Sequence, residues 1–335
     1  MLEKRICGGS GLSLSVLGIG CWSFGGGSGD YWGPQDQGDV DAVVRTALDR
    51  GVNYFDTAEG YNGGRSEESL GRALQGRRHE AIIGSKISPT NTEPETLRRH
   101  CEASLRRLQT DVIDIYMVHW PIPAPGVPDA FAALQALQAE GKIRAIGVSN
   151  FGVAQMTEAL ATGARIGANQ LCYNILSRAI EIEILPLCRE RRVGVLGYMP
   201  LQQGILTGKY RSLDEAPPAR LRTRHFRGDR PGSRHGQTGE EDLVLQILDG
   251  IRRIAERLGV PMGHVALAWT FHTPGITSVL AGIRNLAQLE DNLAAAALML
   301  PPEIVAELDA LSDPLKQRLG PNADYFAGEA RRRTR

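Results

Sequence analysis

The strongest constraint in this sequence is a pattern repeated eight times. A short apolar run rich in Val, Ile and Gly is followed by a segment with apolar residues at helical spacing. The runs are Leu17–Cys21, Val52–Phe55, Ala81–Lys86, Val112–His119, Ile143–Ser149, Gly167–Leu171, Gly194–Tyr198 and Ile276–Gly282. The helical segments are Asp39–Arg50, Ser66–Leu74, Pro94–Leu108, Val127–Glu140, Gly152–Thr162, Arg178–Arg192 and Leu286–Ala297. Two more, Glu240–Leu258 and Pro261–His272, follow the seventh run, and Pro302–Ser312 comes last. Eight such units in about 280 residues match a (β/α)8 TIM barrel in number and length. A doubly wound sheet would use fewer strands and usually a GxGxxG turn, which is absent here, as is Walker A spacing. Ahead of the repeat, Lys4–Cys7 and Leu12–Val16 flank Gly8-Gly9-Ser10-Gly11 and read as a β-hairpin. The expected organisation is one barrel domain over 1–335, with a disordered tail at 325–335.

Composition narrows the function. Lys plus Arg and Asp plus Glu both number 38, so the formal net charge is zero. That argues against nucleic acid or an anionic membrane as the main partner. No apolar run reaches the roughly 18 residues that a membrane span needs, and residues 1–20 lack the features of a secretory leader. Cys7, Cys21, Cys101, Cys172 and Cys188 stand far apart, without CxxC or a Cys/His zinc spacing. They read as reduced thiols in a cytoplasmic protein without a metal.

In a barrel all strand C-termini open on one face, where the chemistry collects. Asp56 closes the second run, with Tyr61 on the loop after it; Lys86 ends the third, and His119 the fourth. A free phenol, with a pKa of about 10, exchanges protons poorly near neutrality. An ammonium at ~4 Å with an effective dielectric of ~20 supplies about 4 kcal/mol, enough to lower it by ~3 units. Lys86 is therefore expected to bring Tyr61 down, with Asp56 holding the ammonium in place. His119 can donate a hydrogen bond to a carbonyl oxygen. Together these residues read as a proton donor for a developing alkoxide, hence for carbonyl reduction.

Several stretches resemble the aldo-keto reductases over nearly the whole chain, from about Lys4 to Leu311. They are Gly51–Ala58 with Tyr61, Ser85-Lys86, Asp114–Trp120, Gly141–Phe151, and Tyr198–Leu201 with Gly204, Leu206, Gly208 and Lys209. The last is similar to the sugar- and polyol-related and potassium-channel-β-like branches. The resemblance implies a barrel plugged at the bottom by its hairpin, and NADPH or NADP bound without a Rossmann domain, with NAD possible. It implies Tyr61 as general acid, supported by Lys86 and Asp56, with His119 orienting the substrate. It implies Ser149, Asn150 and Gln170 on the nicotinamide carboxamide and Tyr198 stacked on the ring. Leu201, Gly204 and Leu206 would pass the pyrophosphate. Gly282, Arg284, Gln288 and Asn292 would take the adenosine end, the fork of Arg284 suiting a 2′-phosphate. Many relatives carry a Lys-Ser pair early in this last loop, which here reads Ala281-Gly282-Ile283-Arg284-Asn285.

Trp22, Trp32 and Trp120, with Tyr31, could line a substrate pocket. The nearby Asp30, Gln35 and Asp36 favour a sugar or polyol over a flat apolar carbonyl. Arg220, Arg222, Arg224, Arg227, Arg230 and Arg234, with His225 and His235, form a basic excursion. It reads as a mobile solvated loop, or else as a lid over cofactor phosphates or a grip on an anionic substrate. Three other functions fit parts of the pattern. They are an NADPH-binding redox-sensing subunit, a sugar epimerase that retains its cofactor, and a hydrolase using Asp56 with Glu59. The oligomeric state is not legible.

Overall fold

The computed structural model describes residues 2–123 and 125–335. A hairpin comes first, β1 (Lys4–Ile6) and β2 (Ser13–Ser15). The barrel strands are β3 (Leu17–Gly20), β4 (Tyr54–Asp56), β5 (Ile82–Ile87), β6 (Ile113–Val118), β7 (Ile143–Ser149), β8 (Ile166–Cys172), β9 (Gly194–Tyr198) and β10 (Ile276–Gly282). They pair in parallel and in order, and β10 closes on β3. The surrounding helices are α1 (Gln37–Asp49), α2 (Arg65–Ala73), α3 (Pro94–Leu108), α4 (Val127–Ala139), α5 (Val153–Ala161) and α6 (Ile184–Glu190). After β9 come α7 (Glu241–Leu258) and α8 (Met262–His272), and after β10 come α9 (Leu286–Ala297) and α10 (Pro302–Leu319). The fold is the expected (β/α)8 barrel. No helix among the described residues is long and apolar enough to cross a membrane.

Two helices differ from expectation. Pro186 has no N–H to give, which a helix tolerates in its first turn, so α6 begins at Ile184. Arg178 stands outside it. In the other direction, α10 runs through Pro314 to Leu319. Side chains supply donors around the disturbed turn: Arg178 to the Asp309 carbonyl at 3.0 Å and Ser312 to the Leu308 carbonyl at 2.9 Å.

Side chains alternate along a strand, so one parity fills the barrel and the other faces the helices. Tyr54, Ile115, Met117, Ala145, Ala168, Leu196 and Leu280 form the inner core, together with Cys7 and Leu14 of the hairpin. Asp56, Lys86, His119, Ser149, Gln170 and Tyr198 have the same parity, nearer the strand C-termini. They are therefore aimed into the barrel mouth. The ring of Tyr54 needs room, and glycine provides it: a Cβ at Gly18 would stand 2.8 Å from its Cδ1, and one at Gly84 2.5 Å from its hydroxyl.

The hairpin seals the opposite end. Gly9 N–H donates to the Arg192 carbonyl at 2.6 Å, and Cys7 packs against Gly194 at the start of β9. The C-terminal stretch 325–335, expected to be disordered, is packed instead. Tyr325 is 1% exposed and accepts the Ala179 N–H, while Ala154 N–H donates to the Arg335 carbonyl at 2.8 Å. The basic excursion is docked too. Arg224 reaches the Leu319 and Asn322 carbonyls, His225 is fully buried, and Arg230 pairs with Glu241.

Gly8 turns the hairpin with φ +51°, where an added Cβ would collide with the Arg192 carbonyl and stand 2.5 Å from Gly194 N. Gly8→Ala is expected to cost roughly 2–4 kcal/mol. Urea unfolding should show a lower midpoint with an unchanged slope.

Candidate active site

Asp56, at the end of β4, is 3% exposed, and Lys86, on β5, is completely buried. Lys86 Nζ donates to Asp56 Oδ2 at 2.6 Å and to the Thr57 carbonyl at 2.8 Å, and lies 3.4 Å from the Tyr61 hydroxyl. The other carboxylate oxygen, Asp56 Oδ1, accepts from Gln170 Nε2 at 2.7 Å and from the Tyr54 hydroxyl at 3.4 Å. The His119 ring stands edge-on to Tyr61, with centroids 5.6 Å apart. The four residues expected to converge are thus brought together.

Their electrostatics differ from expectation at one point. Burial pulls the Lys86 ammonium down, but Asp56 and then Tyr61 outweigh it, and Lys86 stands above its ordinary value. Burial pushes the Asp56 carboxyl up, against the pull of Lys86, Gln170 and Tyr54. Tyr61 was expected to be lowered; it is raised. Desolvation is the largest cause. Lys86 does pull the phenol down, but Asp56 holds the same ammonium at 2.6 Å and pushes the phenol back up. Tyr61 therefore rests as a neutral phenol, a proton donor rather than a phenolate. Burial, then repulsion from Lys86, brings His119 down to about 3, so its imidazole is neutral near pH 7.

Next to this group lies a cradle of amides. Asn150, in the left-handed region with φ 62°, donates from Nδ2 to the His119 carbonyl at 3.2 Å and to Ser149 Oγ at 3.0 Å. Its Oδ1 accepts from the Tyr198 hydroxyl at 2.8 Å. Ser149, Asn150, Gln170 and Tyr198 therefore meet beside Lys86. Left-handed residues gather on this face, Asn62, Met199, Gln202 and Gln203 joining Asn150. Strained backbone of this kind collects where a site dictates the conformation.

The residues expected at the far end of a cofactor are engaged with one another. Gly204 N–H and Leu206 N–H both donate to the Leu201 carbonyl, at 2.8 and 3.2 Å. Gln288 Oε1 accepts the Arg284 N–H at 2.9 Å, Asn292 is buried, and Gly282 is exposed. Arg284 gives its guanidinium to the loop after β3: Nε to Gln35 Oε1 at 2.8 Å, Nη1 to the Trp32 carbonyl at 2.9 Å, and Nη2 to the Pro34 carbonyl.

Trp22, Tyr31, Trp32 and Tyr61 form one wall. Trp22 stacks on Tyr61 and on Tyr31, with centroids 5.6 and 5.0 Å apart, and Arg220 sits 4.2 Å over Trp32. The polar residues that favoured a sugar are committed elsewhere. Asp30 pairs with Arg65, Asp36 caps α1, and Gln35 holds Arg284. Glu59, considered as a second carboxylate, points away to His100 Nδ1 at 2.7 Å and the Ser88 N–H.

Sequence reasoning missed the C-terminal segment. Arg333 lies 3.5 Å over Trp120 and forks onto buried Asp324, and the Thr334 hydroxyl donates to the Asn150 carbonyl at 2.8 Å. The signal was Asn322-Ala323-Asp324-Tyr325-Phe326, too apolar and aromatic for a solvated tail.

A parallel barrel with a buried Lys–Asp pair under a protonated tyrosine defines a class, and the comparisons agree with it. Residues 16–313 match the Aldo/keto reductase family, and the chain belongs to that family. It is 33% identical to the aldo-keto reductase YhdN of Bacillus subtilis over 84% of this chain and 85% of that one. It is also 33% identical to the NADH-specific methylglyoxal reductase of Escherichia coli, over 89% and 95%. The crystal structure of an aldo-keto reductase from Klebsiella pneumoniae in complex with NADPH is 28% identical, with a TM-score of 0.73 over 100% of this chain and 99% of that one.

Asp56→Ala would leave the Lys86 charge buried without its partner. A loss of about 3–5 kcal/mol in unfolding free energy is expected, measured by chemical denaturation. A change under 1 kcal/mol would mean that Lys86 does not carry its proton in the folded state.

Proposed function

We propose that this protein is an NAD(P)H-dependent carbonyl reductase in which Tyr61 delivers the proton. One observation carries the reading: a buried ammonium is held by Asp56 on one side and lies 3.4 Å from a neutral phenol on the other. The amide cradle of Ser149, Asn150 and Gln170 suits a carboxamide, which offers both a donor and an acceptor, and Tyr198 suits the face of a flat ring. These residues would hold the nicotinamide, and Arg284 the adenosine end. Bound there, the reduced nicotinamide supplies hydride to the carbonyl carbon.

The chain's own residues handle the oxygen. The Tyr61 hydroxyl donates to it and gives up its proton as negative charge develops. Lys86 stabilises the phenolate left behind, so its effect is largest after the proton has moved. Asp56 keeps Lys86 charged and fixed. His119, neutral, can donate a second hydrogen bond to the same oxygen and orient the carbonyl.

For the substrate we infer a small aldehyde or ketone that packs between Trp22 and Trp120. The hydroxyl-reading groups that favoured a sugar or polyol are occupied in the first loop. The likeness to a methylglyoxal reductase supports a short oxo-compound.

Tyr61→Phe should lower turnover by about 10²–10⁴-fold while leaving cofactor binding, read by fluorescence quenching, nearly unchanged. Undiminished turnover would sink the assignment. Tight cofactor binding by the native protein with no turnover across aldehydes, ketones and sugars would favour a redox-sensing subunit instead. The pH profiles should be asymmetric. Reduction needs the protonated phenol, which burial holds above the ordinary phenol range, so it should hold through neutral pH and fall only beyond that range. Alcohol oxidation needs the phenolate, so it should climb with pH across the same range. Parallel profiles would count against Tyr61 as the shared acid and base.

A further inference from the structure

Arg284 is placed where a barrel of this kind binds phosphate, in the loop after the last strand and ahead of the next helix. All three nitrogens of its guanidinium are nevertheless engaged. Nε, Nη1 and Nη2 each donate to the segment Trp32–Gln35, some 250 positions away in sequence. Gln35 returns a bond from Nε2 to the Arg284 carbonyl at 2.9 Å, so the two residues are clasped in both directions. All of these acceptors are neutral. Among the described residues no carboxylate forms an ion pair with Arg284, so its charge has no counter-charge. A phosphate offers a guanidinium an opposite charge and a two-pronged pairing that separate neutral carbonyls do not. The clasp is therefore one that a phosphate would outcompete and a neutral hydroxyl would not.

We propose that the Trp32–Gln35 segment is an intramolecular competitor for Arg284, and that Gln35 tunes how strongly the protein distinguishes NADP(H) from NAD(H). This rests on the cofactor reading above and adds to it. A cofactor with a 2′-phosphate takes Arg284 and releases the segment. A cofactor with a free 2′-hydroxyl leaves the clasp closed and gains nothing from Arg284. The intrinsic preference for the phosphate is thus reduced by the free energy of the clasp. The same segment contains Trp32 and follows Tyr31, whose hydroxyl lies 2.9 Å from the Ala219 carbonyl and 3.0 Å from Gln203 Oε1. Its release would loosen the aromatic wall over Tyr61, which gives the event an optical signature in tryptophan emission.

The test uses the full chain and four probes: NADPH, NADH, adenosine 2′,5′-bisphosphate and 5′-AMP. Dissociation constants come from fluorescence quenching, with no turnover involved. Gln35→Ala removes both side-chain bonds of the clasp. It should tighten NADPH and the bisphosphate by about 3- to 10-fold, the worth of one or two hydrogen bonds, and leave NADH and 5′-AMP within about twofold. Arg284→Leu should abolish the preference for the 2′-phosphate in both pairs. Gln35→Ala that leaves NADPH unchanged or weakens it overturns the inference, as does Arg284→Leu that keeps the preference. If the native protein binds neither NADPH nor NADH, the proposed function itself fails. If it binds both and the variants respond otherwise than stated, only the clasp fails.

Discussion

The site depends on one ion pair in a place where neither member could stand alone. Lys86 is completely buried and Asp56 nearly so, with 2.6 Å between Nζ and Oδ2. A single charge at that depth would cost several kcal/mol, so each residue requires the other. Gln170 and Tyr54 complete the arrangement by occupying the second carboxylate oxygen. The carboxylate cannot rotate without breaking these bonds, so the ammonium is held at one point beneath Tyr61. The glycines at 18 and 84 belong to the same device, since they make the space that brings the Tyr54 hydroxyl to Asp56.

This arrangement settles which form Tyr61 takes at rest. An ammonium shared with a carboxylate does not act on a third group as a full charge. Burial of the phenol is then left as the larger effect. On the proposed reading, Tyr61 would lose its proton only when an oxygen beside it becomes more basic, as a carbonyl oxygen does on accepting hydride. An already ionised tyrosine could not serve as the acid. The neutral phenol thus carries at rest the proton that reduction requires, at the cost of being a weaker acid than a phenol lowered by a simple lysine–tyrosine pair.

What could be read in the sequence was what strand geometry carries. Asp56, Lys86, His119, Ser149, Gln170 and Tyr198 are legible because they lie at or near strand ends and share the parity of the inner core. What could not be read depends on which loop meets which. Nothing in the stretch 22–37 announces that Gln35 will meet Arg284, 249 positions on, or that Asp30 and Asp36 will be spent on Arg65 and a helix cap. The segment 325–335 was misjudged because its run of arginines masks the residues that anchor it. Asp324 and Tyr325 bury themselves first, and Arg333 then has a carboxylate and an indole to settle on. The two prolines act differently on their helices. Pro186 marked where α6 begins, while Pro314 failed to end α10.

The closure of β10 against β3 has a consequence for how the molecule is made. Leu17 and Val279 are neighbours in the finished barrel, and the Ser278 hydroxyl reaches the Ser15 carbonyl across 263 positions of chain. Local contacts can assemble most strand–helix units early, but this seam waits until nearly all of the described chain is present. Until then the sheet is an open ribbon with two unpaired edges, the form most prone to sticking to another chain. The clasp of Arg284 on Gln35 lies across the same seam. The join that forms last is therefore fastened a second time, at the mouth of the barrel, by the loops that frame the site.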